Sequence, residues 1–368
     1  MAMTIPNQAS KHRKHQIATL QAGRGLACLI IMLYHNVGNY FPFGGNDPLT
    51  LFFRFGPSGL LFFFVLSGHI ITHVHWDDLG QPRQALMYIR KRFLRIYPFY
   101  WVILSGMVAL YALLPAFGKP SDRDAWNIIS SYSLFLPTPM TPVVPVAWTL
   151  FHEILFYSVF ALCILHKRIG LSVLIMWIAG SLLSIVDADP DFYVNFYFSR
   201  YHLMFGMGML VCLQLRYDYF KINGFLFAFA GCLIFAVSAM DDDYFAYLNL
   251  VAHDLLYGLG SAFAILGFVT LEQAGRLHIS RPLIVMGDAS YCMYLTHWPL
   301  FSLMVKIAGF SHLANYLPVE AIYGVTSVIV VLLGVALHFW LEKPSIAVAR
   351  LIFRKAVALG GYLGRPAG

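Results

Sequence analysis

Arg24 and His35 are two ionisable residues eleven positions apart in an apolar stretch near the start of the chain. On a helix, eleven residues turn about 1100°, or about 20° past three full turns, so both side chains share one face, about 16 Å apart. An imidazole in that position could act as a general base, and a guanidinium could bind an anion. The alternative is that both are unrelated packing residues.

Glu153 lies near the start of a later apolar stretch, in the segment Trp148-Thr149-Leu150-Phe151-His152-Glu153. Its predicted depth matches that of His35, and a carboxylate beside an imidazole orients the ring and raises its basicity. The sequence therefore predicts His35 and Glu153 as a catalytic pair. A carboxylate that caps a neighbouring helix or reaches the outer water is the alternative.

Arg92 and Arg95 are three residues apart, and hence neighbours on a helix, at the predicted mouth of the third apolar stretch. Guanidinium groups are suited to bidentate binding of phosphates, although basic residues at such ends also serve as topology signals. Ser67 and Gly68, in the second stretch, are small enough to let a helix or a ligand chain approach closely.

Three further polar residues are candidates for a supporting or acceptor-side role. Tyr294 and His297 belong to a polar cluster in the ninth apolar stretch, and Asp254 lies near the outer end of the eighth. A lone buried histidine is more often a core residue than a catalyst. The five cysteines form no Cys-x-x-Cys pair, so we expect no metal site and no disulfide framework.

The composition identifies the elements that must position these residues. Of 368 residues, 59% are hydrophobic and 12% are charged, whereas soluble domains have about 45–50% apolar and about 25% charged residues. So few charges cannot cover a water-soluble surface, and the chain is predicted to be a polytopic membrane protein. The net charge of +7 comes from basic residues between apolar runs, so no nucleic-acid partner is expected.

The predicted fold is an all-α bundle of about ten transmembrane helices in the lipid bilayer. The spans are 17–38, 57–73, 94–116, 148–166, 170–187, 196–215, 222–240, 251–271, 285–306 and 319–341. The proline-broken segment 125–147 is expected to be interfacial or re-entrant. Nineteen of the 25 basic residues fall on one side and five on the other, which predicts cytoplasmic termini. The predicted domains are an N-terminal tail at 1–16, a transmembrane domain at 17–345 and a cytoplasmic C-terminal tail at 346–368.

Six short segments, in this order, resemble the acyltransferase-3 family of integral-membrane O-acyltransferases. They are Arg24-x10-His35, the Phe-rich segment ending in Ser67-Gly68, Arg92-x-x-Arg95, Trp148-x-Leu150-x-x-Glu153-x-x-Phe156-Tyr157, 290–297 and Glu342-Lys343-Pro344. The resemblance covers residues 17–345. It implies transfer of an acyl group, commonly acetyl, from a coenzyme A thioester to a sugar hydroxyl. In its single-domain organisation the chain resembles the branch of the family that acetylates bacterial exopolysaccharides.

The residues and the resemblance together predict a mechanism at the bacterial inner membrane. Arg24, Arg92 and Arg95 would hold the phosphates of acetyl-CoA, which is a substrate and not a permanent cofactor. The pantetheine arm would pass Ser67-Gly68 toward His35. That residue would take the proton of a hydroxyl on a glycan or lipid-linked glycan.

The sequence is also compatible with two other functions. A secondary transporter or flippase could use Arg24, His35 and Glu153 as a proton or substrate pathway, although no internal repeat is visible. A receptor-like scaffold would not require so many ionisable residues within the membrane.

Overall fold

The computed structural model describes residues 17–40, 53, 55–186, 191–241 and 247–363, a part of the chain that contains thirteen α-helices and no strand. The predicted N-terminal tail 1–16 lies outside the described residues. The helices are α1 (Ala18–Tyr40), α2 (Ser58–His75), α3 (Pro82–Leu113), α4 (Ala125–Ser133), α5 (Trp148–Leu165), α6 (Lys167–Leu183), α7 (Phe192–Tyr197), α8 (Tyr201–Tyr217), α9 (Gly224–Met240), α10 (Leu250–Gln273), α11 (Arg281–Phe310), α12 (Val319–Leu337) and α13 (Lys343–Leu363).

The helices agree with the predicted membrane-protein class. A helix covers most of each of the ten predicted spans. Five segments among the described residues are long and apolar enough to cross a membrane, namely Ser58–Asp78, Pro82–Leu113, Pro145–Leu165, Leu250–Gln273 and Val319–Lys355. The all-α membrane fold is therefore confirmed, while the number of ten spans and the cytoplasmic side of the termini stay predictions.

The third helix begins earlier than the sequence predicts. Its span was expected at 94–116, with the two arginines at the mouth, but α3 begins at Pro82. Proline is favoured in the first turn, where its missing N–H costs nothing and its fixed φ suits the helix. Arg92 therefore lies about 15 Å along α3, and Arg95 about one turn further. Both arginines stand inside a long helix and not in a loop.

The proline-rich segment 125–147 does not form a continuous span. Its helix α4 has nine residues and ends where Leu134 adopts φ 57°, so its length of about 14 Å is too short to cross a bilayer. The hydroxyl of Tyr100 in α3 donates to the carbonyl oxygen of Ser131 at 2.8 Å. This hydrogen bond attaches the segment to the side of α3.

The predicted C-terminal tail contains a helix that packs against the bundle. A π-helical turn, His338–Glu342, connects α12 to α13, so the chain continues without a loop. In the contact between α13 and α3, the rings of Phe353 and Phe93 meet edge to face with centroids 5.7 Å apart. This contact brings the basic residues of both helices together. The sequence prediction of a C-terminal tail did not include such packing.

Small residues let α2 and α8 pack backbone to backbone. A Cβ atom added at Gly208 in α8 would lie 1.8 Å from the carbonyl oxygen of Val65 in α2. One added at Gly68 would lie 2.1 Å from the carbonyl oxygen of Phe205. Close approach of this kind is the usual role of small residues in membrane helices, where dispersion contacts drive association. This contact fixes α2 in the bundle.

We expect Gly208→Ala to destabilise the protein, because its methyl group must push α8 away from α2. Overpacking of a well-packed site costs about 1–3 kcal/mol. The measurement is the thermal unfolding midpoint of purified protein in detergent. Gly106→Ala in α3 is the matched control, since an added Cβ there meets nothing within 4 Å. Equal midpoints for the two variants would contradict the packing.

Candidate active site

A cavity of about 300 Å³, the central cavity, lies among α1, α2, α3, α5 and α11. Six residues that the sequence singles out contribute to its lining, namely Arg24, Ser67, Arg92, Arg95, Glu153 and Tyr294. They come from five helices, three of them consecutive near the start of the chain and the last one, α11, near its end. The fold therefore brings most of the predicted site residues to one place.

The central cavity carries more positive than negative charge. Three arginines and one carboxylate, that of Glu153, are the charged groups in its lining. The Glu153 carboxylate accepts hydrogen bonds from the hydroxyls of Tyr157 and Ser67. Unbalanced charge within a membrane bundle is costly and marks functional sites. The excess of positive charge suits an anionic or strongly polar ligand.

Arg92, which lines the central cavity, has one buried donor without an acceptor among the described residues. Its Nη2 donates to Nε2 of His75 at 3.2 Å, and Nδ1 of that ring lies 2.7 Å from the Asp78 carboxylate. The Nε atom of Arg92 is buried and has no hydrogen-bond acceptor among the described residues. A buried donor without a partner costs about 1–3 kcal/mol. An oxygen of a bound ligand would remove this cost.

A second cavity of about 500 Å³, the basic cleft, lies between α3 and α13. Five basic residues line it, namely Arg90, Lys91, Arg95, Arg350 and Arg354, and none of the described residues that line it is acidic. Arg95 lines both the basic cleft and the central cavity, so the two cavities adjoin. The sequence prediction missed Arg350 and Arg354, although their four-residue spacing places them on one helix face.

His35 forms a pair with His297 of α11. Nδ1 of His35 lies 2.9 Å from Nε2 of His297, and the two rings stack with centroids 5.0 Å apart. Nδ1 of His297 lies 3.3 Å from the carbonyl oxygen of Met293. Because a carbonyl only accepts, His297 carries its proton on Nδ1 and accepts at Nε2 from His35. This arrangement leaves the lone pair of neutral His35 on Nε2.

The structure gives His35 a different hydrogen-bond partner from the predicted Glu153. The hydrogen bonds of Glu153 go to Tyr157 and Ser67, and the histidine is oriented by His297. Glu153 lines the central cavity with Arg24, about three helical turns before His35 along α1. The sequence analysis expected Glu153 at the depth of His35, whereas Glu153 lies with Arg24 in the lining of the central cavity.

Tyr294 connects the central cavity to the histidine pair. Its side chain lines the cavity, and its ring centroid lies 5.7 Å from that of His297. Its hydroxyl donates to the carbonyl oxygen of Val146 at 2.9 Å and lies 2.9 Å from Oγ1 of Thr149. The histidine pair thus adjoins the Tyr294 end of the cavity, next to a tyrosine held in one orientation.

Besides the histidine pair, two predicted site residues, Gly68 and Asp254, do not line the central cavity. Gly68 faces Phe205 of α8, where it permits helix packing, and it does not line the cavity as its neighbour Ser67 does. Asp254 forms an ion pair with Arg200. A carboxylate near a helix end balances a buried cation as readily as it binds a ligand, and the sequence alone does not separate the two roles.

Comparisons with known proteins identify the family of the chain. A family model described as an acyltransferase domain matches residues 17–340. Over 330 residues the chain is 28% identical to "Exopolysaccharide production protein ExoZ" of Rhizobium meliloti (strain 1021), covering 86% of this chain and 96% of the relative. Over 185 residues it is 26% identical to "Protein 2 in picA locus" of Rhizobium radiobacter, covering 45% of this chain and 92% of the relative.

No solved structure matches the chain. The family model nevertheless covers most of its length, including α1 to α12, and the six sequence segments occur in the order typical of these transferases. The chain therefore belongs to the acyltransferase-3 family of membrane-embedded acyltransferases.

Proposed function

We propose that the protein transfers an acetyl group from acetyl-CoA to a sugar hydroxyl of an exopolysaccharide at a bacterial inner membrane. One observation carries this proposal: the basic cleft adjoins the central cavity, and the central cavity adjoins the histidine pair. The acyltransferase family supplies the reaction class. The name of the Rhizobium meliloti relative supports a polysaccharide acceptor.

The donor would bind with its phosphates in the basic cleft. Coenzyme A carries a diphosphate and a 3′-phosphate, and guanidinium groups bind phosphates through paired hydrogen bonds. Arg95 belongs to both cavities, so the pantetheine arm would enter the central cavity beside this residue and pass Ser67. The unpaired Nε of Arg92 would donate to an oxygen of the donor.

His35 would act as the general base. Its Nε2 would take the proton of the acceptor hydroxyl while that oxygen attacks the thioester carbonyl and the C–S bond breaks. The proton then passes to the leaving thiolate, which gives free coenzyme A. His297 would hold the ring and accept a hydrogen bond from Nδ1 as His35 becomes charged. An acyl-imidazole intermediate on His35 is the other route consistent with the site.

Release of coenzyme A tests the proposal. Purified protein in lipid nanodiscs is mixed with acetyl-CoA, with or without fragments of a bacterial exopolysaccharide. Coenzyme A is then measured by chromatography, because the five free cysteines of the chain would react with a thiol reagent. We expect acceptor-dependent release and an acetylated product by mass spectrometry. A transporter would bind or move a ligand without splitting the thioester.

His35→Ala should lower the transfer rate by about 10²–10⁴, the usual effect of removing a general base. Binding of acetyl-CoA, measured by calorimetry in the same nanodiscs, should stay within a few-fold of wild type. His278→Ala is the control, since this histidine is exposed between α10 and α11. Transfer by His35→Ala at close to the wild-type rate would refute the assignment.

His297→Phe should reduce kcat roughly tenfold to a hundredfold, a loss of the size found when the partner that orients a metal-binding histidine is removed. The KM for acetyl-CoA should not change, because His297 does not line the donor cavities. His297→Gln keeps a hydrogen-bond acceptor and should recover part of the loss. If both variants lose activity equally while their unfolding midpoints fall, His297 has only a structural role.

Arg350→Ala and Arg354→Ala should each weaken acetyl-CoA binding by about tenfold to a hundredfold, because each removes a charge-assisted hydrogen bond worth about 1.5–3 kcal/mol. Lysine at either position should recover part of the affinity, since it keeps the charge without the paired donors. Arg168→Ala is the control on an exposed position. Unchanged affinity in both arginine variants would remove the basic cleft from the donor site.

A further inference from the structure

A third cavity of about 710 Å³ lies beside the histidine pair, on the stretch of α11 that follows it. Trp298 lines this cavity, and its ring meets that of His35 edge to face with centroids 5.3 Å apart. Lys306, two turns further along α11, lines the cavity as well. Along this one helix, Tyr294 faces the central cavity, His297 holds the base, and Trp298 begins the third cavity.

Aromatic side chains give the third cavity a surface suited to sugar rings. Tyr111 at the end of α3, Phe117 in the following turn and Trp298 all contribute to its lining. The C–H face of a pyranose packs against such rings, while their polar atoms and nearby hydroxyls remain free to bind its hydroxyl groups. A sugar stacked on Trp298 would lie one ring away from the proposed base.

Two ammonium groups make the cavity positively charged. Lys119 and Lys306 both line it, and neither forms an ion pair with a described residue. The Nζ atom of Lys306 lies 3.5 Å from the ring centre of Phe117. The one acidic side chain in the lining is that of Asp122, which is buried and accepts the backbone N–H of Lys119 at 2.7 Å. Asp122 therefore shapes the turn, and the lysines are available to a ligand.

Membrane topology does not explain why Lys119 and Lys306 are present at this cavity. The positive-inside rule favours basic residues on the cytoplasmic side. On the predicted far side only five basic residues occur, and two of them line this one cavity. Their concentration beside the proposed base favours binding of an anion there.

We infer that the third cavity is the acceptor site and that it selects a glycan carrying a carboxylate close to the sugar that is acylated. This inference rests on the proposed transferase function. The glycan would stack on Trp298, its carboxylate would lie between Lys119 and Lys306, and its hydroxyl would face His35. Acyl transfer to a sugar hydroxyl does not itself require a charged glycan, so preference for an acidic acceptor would be an additional property of this site.

Direct binding without donor is the first test. The probes are tetragalacturonate and its fully methyl-esterified form, which share one carbon skeleton and differ in charge. Wild-type protein in phosphatidylcholine nanodiscs should bind the acid at least about tenfold more tightly than the ester, with a difference that shrinks at high salt. Equal affinity for the two probes would overturn the inference.

Variants locate the effect. The double variant Lys119→Gln, Lys306→Gln should lose the preference for the acid and keep its affinity for the ester. Trp298→Leu should weaken binding of both probes. Arg123→Gln is the matched control, since Arg123 lies in the same turn as Lys119 and does not line the cavity. A preference for the acid that survives in the double variant would place the anion elsewhere and refute the site.

An anionic lipid headgroup is the other source of negative charge, and it is tested separately. Native mass spectrometry would count phosphatidylglycerol molecules retained by wild type and by the double variant. Retention that depends on the lysines, together with loss of tetragalacturonate binding in phosphatidylglycerol nanodiscs, would overturn the glycan assignment. Binding of tetragalacturonate unaffected by phosphatidylglycerol supports it.

Failure of the two proposals can be distinguished. If coenzyme A release never depends on a glycan while tetragalacturonate binds as expected, the transferase proposal falls and the acidic-glycan site stands. If release occurs with equal KM for acidic and neutral acceptors, the acceptor inference falls alone.

Discussion

Burial of arginine charge within a membrane bundle is the constraint on which the rest of this structure depends. A charged residue at the centre of a span costs roughly 2.5–3.5 kcal/mol on insertion scales, and three arginines line one cavity. Glu153 compensates only part of this charge, because it is the one carboxylate in the lining of the central cavity. Apolar residues in these positions would serve stability at least as well, so the buried arginines are consistent with the proposed binding of an anionic or polar substrate.

Such a site requires helices that do not move apart, and the backbone contacts of small residues provide this. Gly68 and Gly208 hold α2 against α8, and a Cβ atom added at Gly287 in α11 would lie 2.0 Å from the carbonyl oxygen of Gln21 in α1. The second contact fixes the two helices that carry the histidine pair. Close packing of backbones leaves little freedom for side chains at the contact. The hydrogen bond between His35 and His297 depends on this fixed register.

Part of the site could be predicted from the sequence because it follows from periodicity within one helix. The shared face of Arg24 and His35, and the adjacency of Arg92 and Arg95, are of this kind. The partner of His35 could not be predicted, since His297 is 262 residues away and which helices meet depends on packing of the whole bundle. The same limit applies to Arg350, which faces Arg95 only because α13 folds back onto α3. Helix periodicity relates only residues within one helix, so it does not predict contacts between residues on different helices.

The order of the sites along α11 suggests how one helix can couple two compartments. Tyr294 lines the central cavity, His297 contacts His35 one turn later, and Trp298 and Lys306 line the third cavity. In the proposed reaction, a donor with phosphates would stay near the cytoplasmic charge, whereas an envelope glycan would approach from the other side. A rigid helix would keep the thioester, the proposed base and the acceptor hydroxyl in line without moving either substrate across the bilayer. With the proposed base between two separate cavities, each substrate would enter from its own side, and only the acyl group would have to pass.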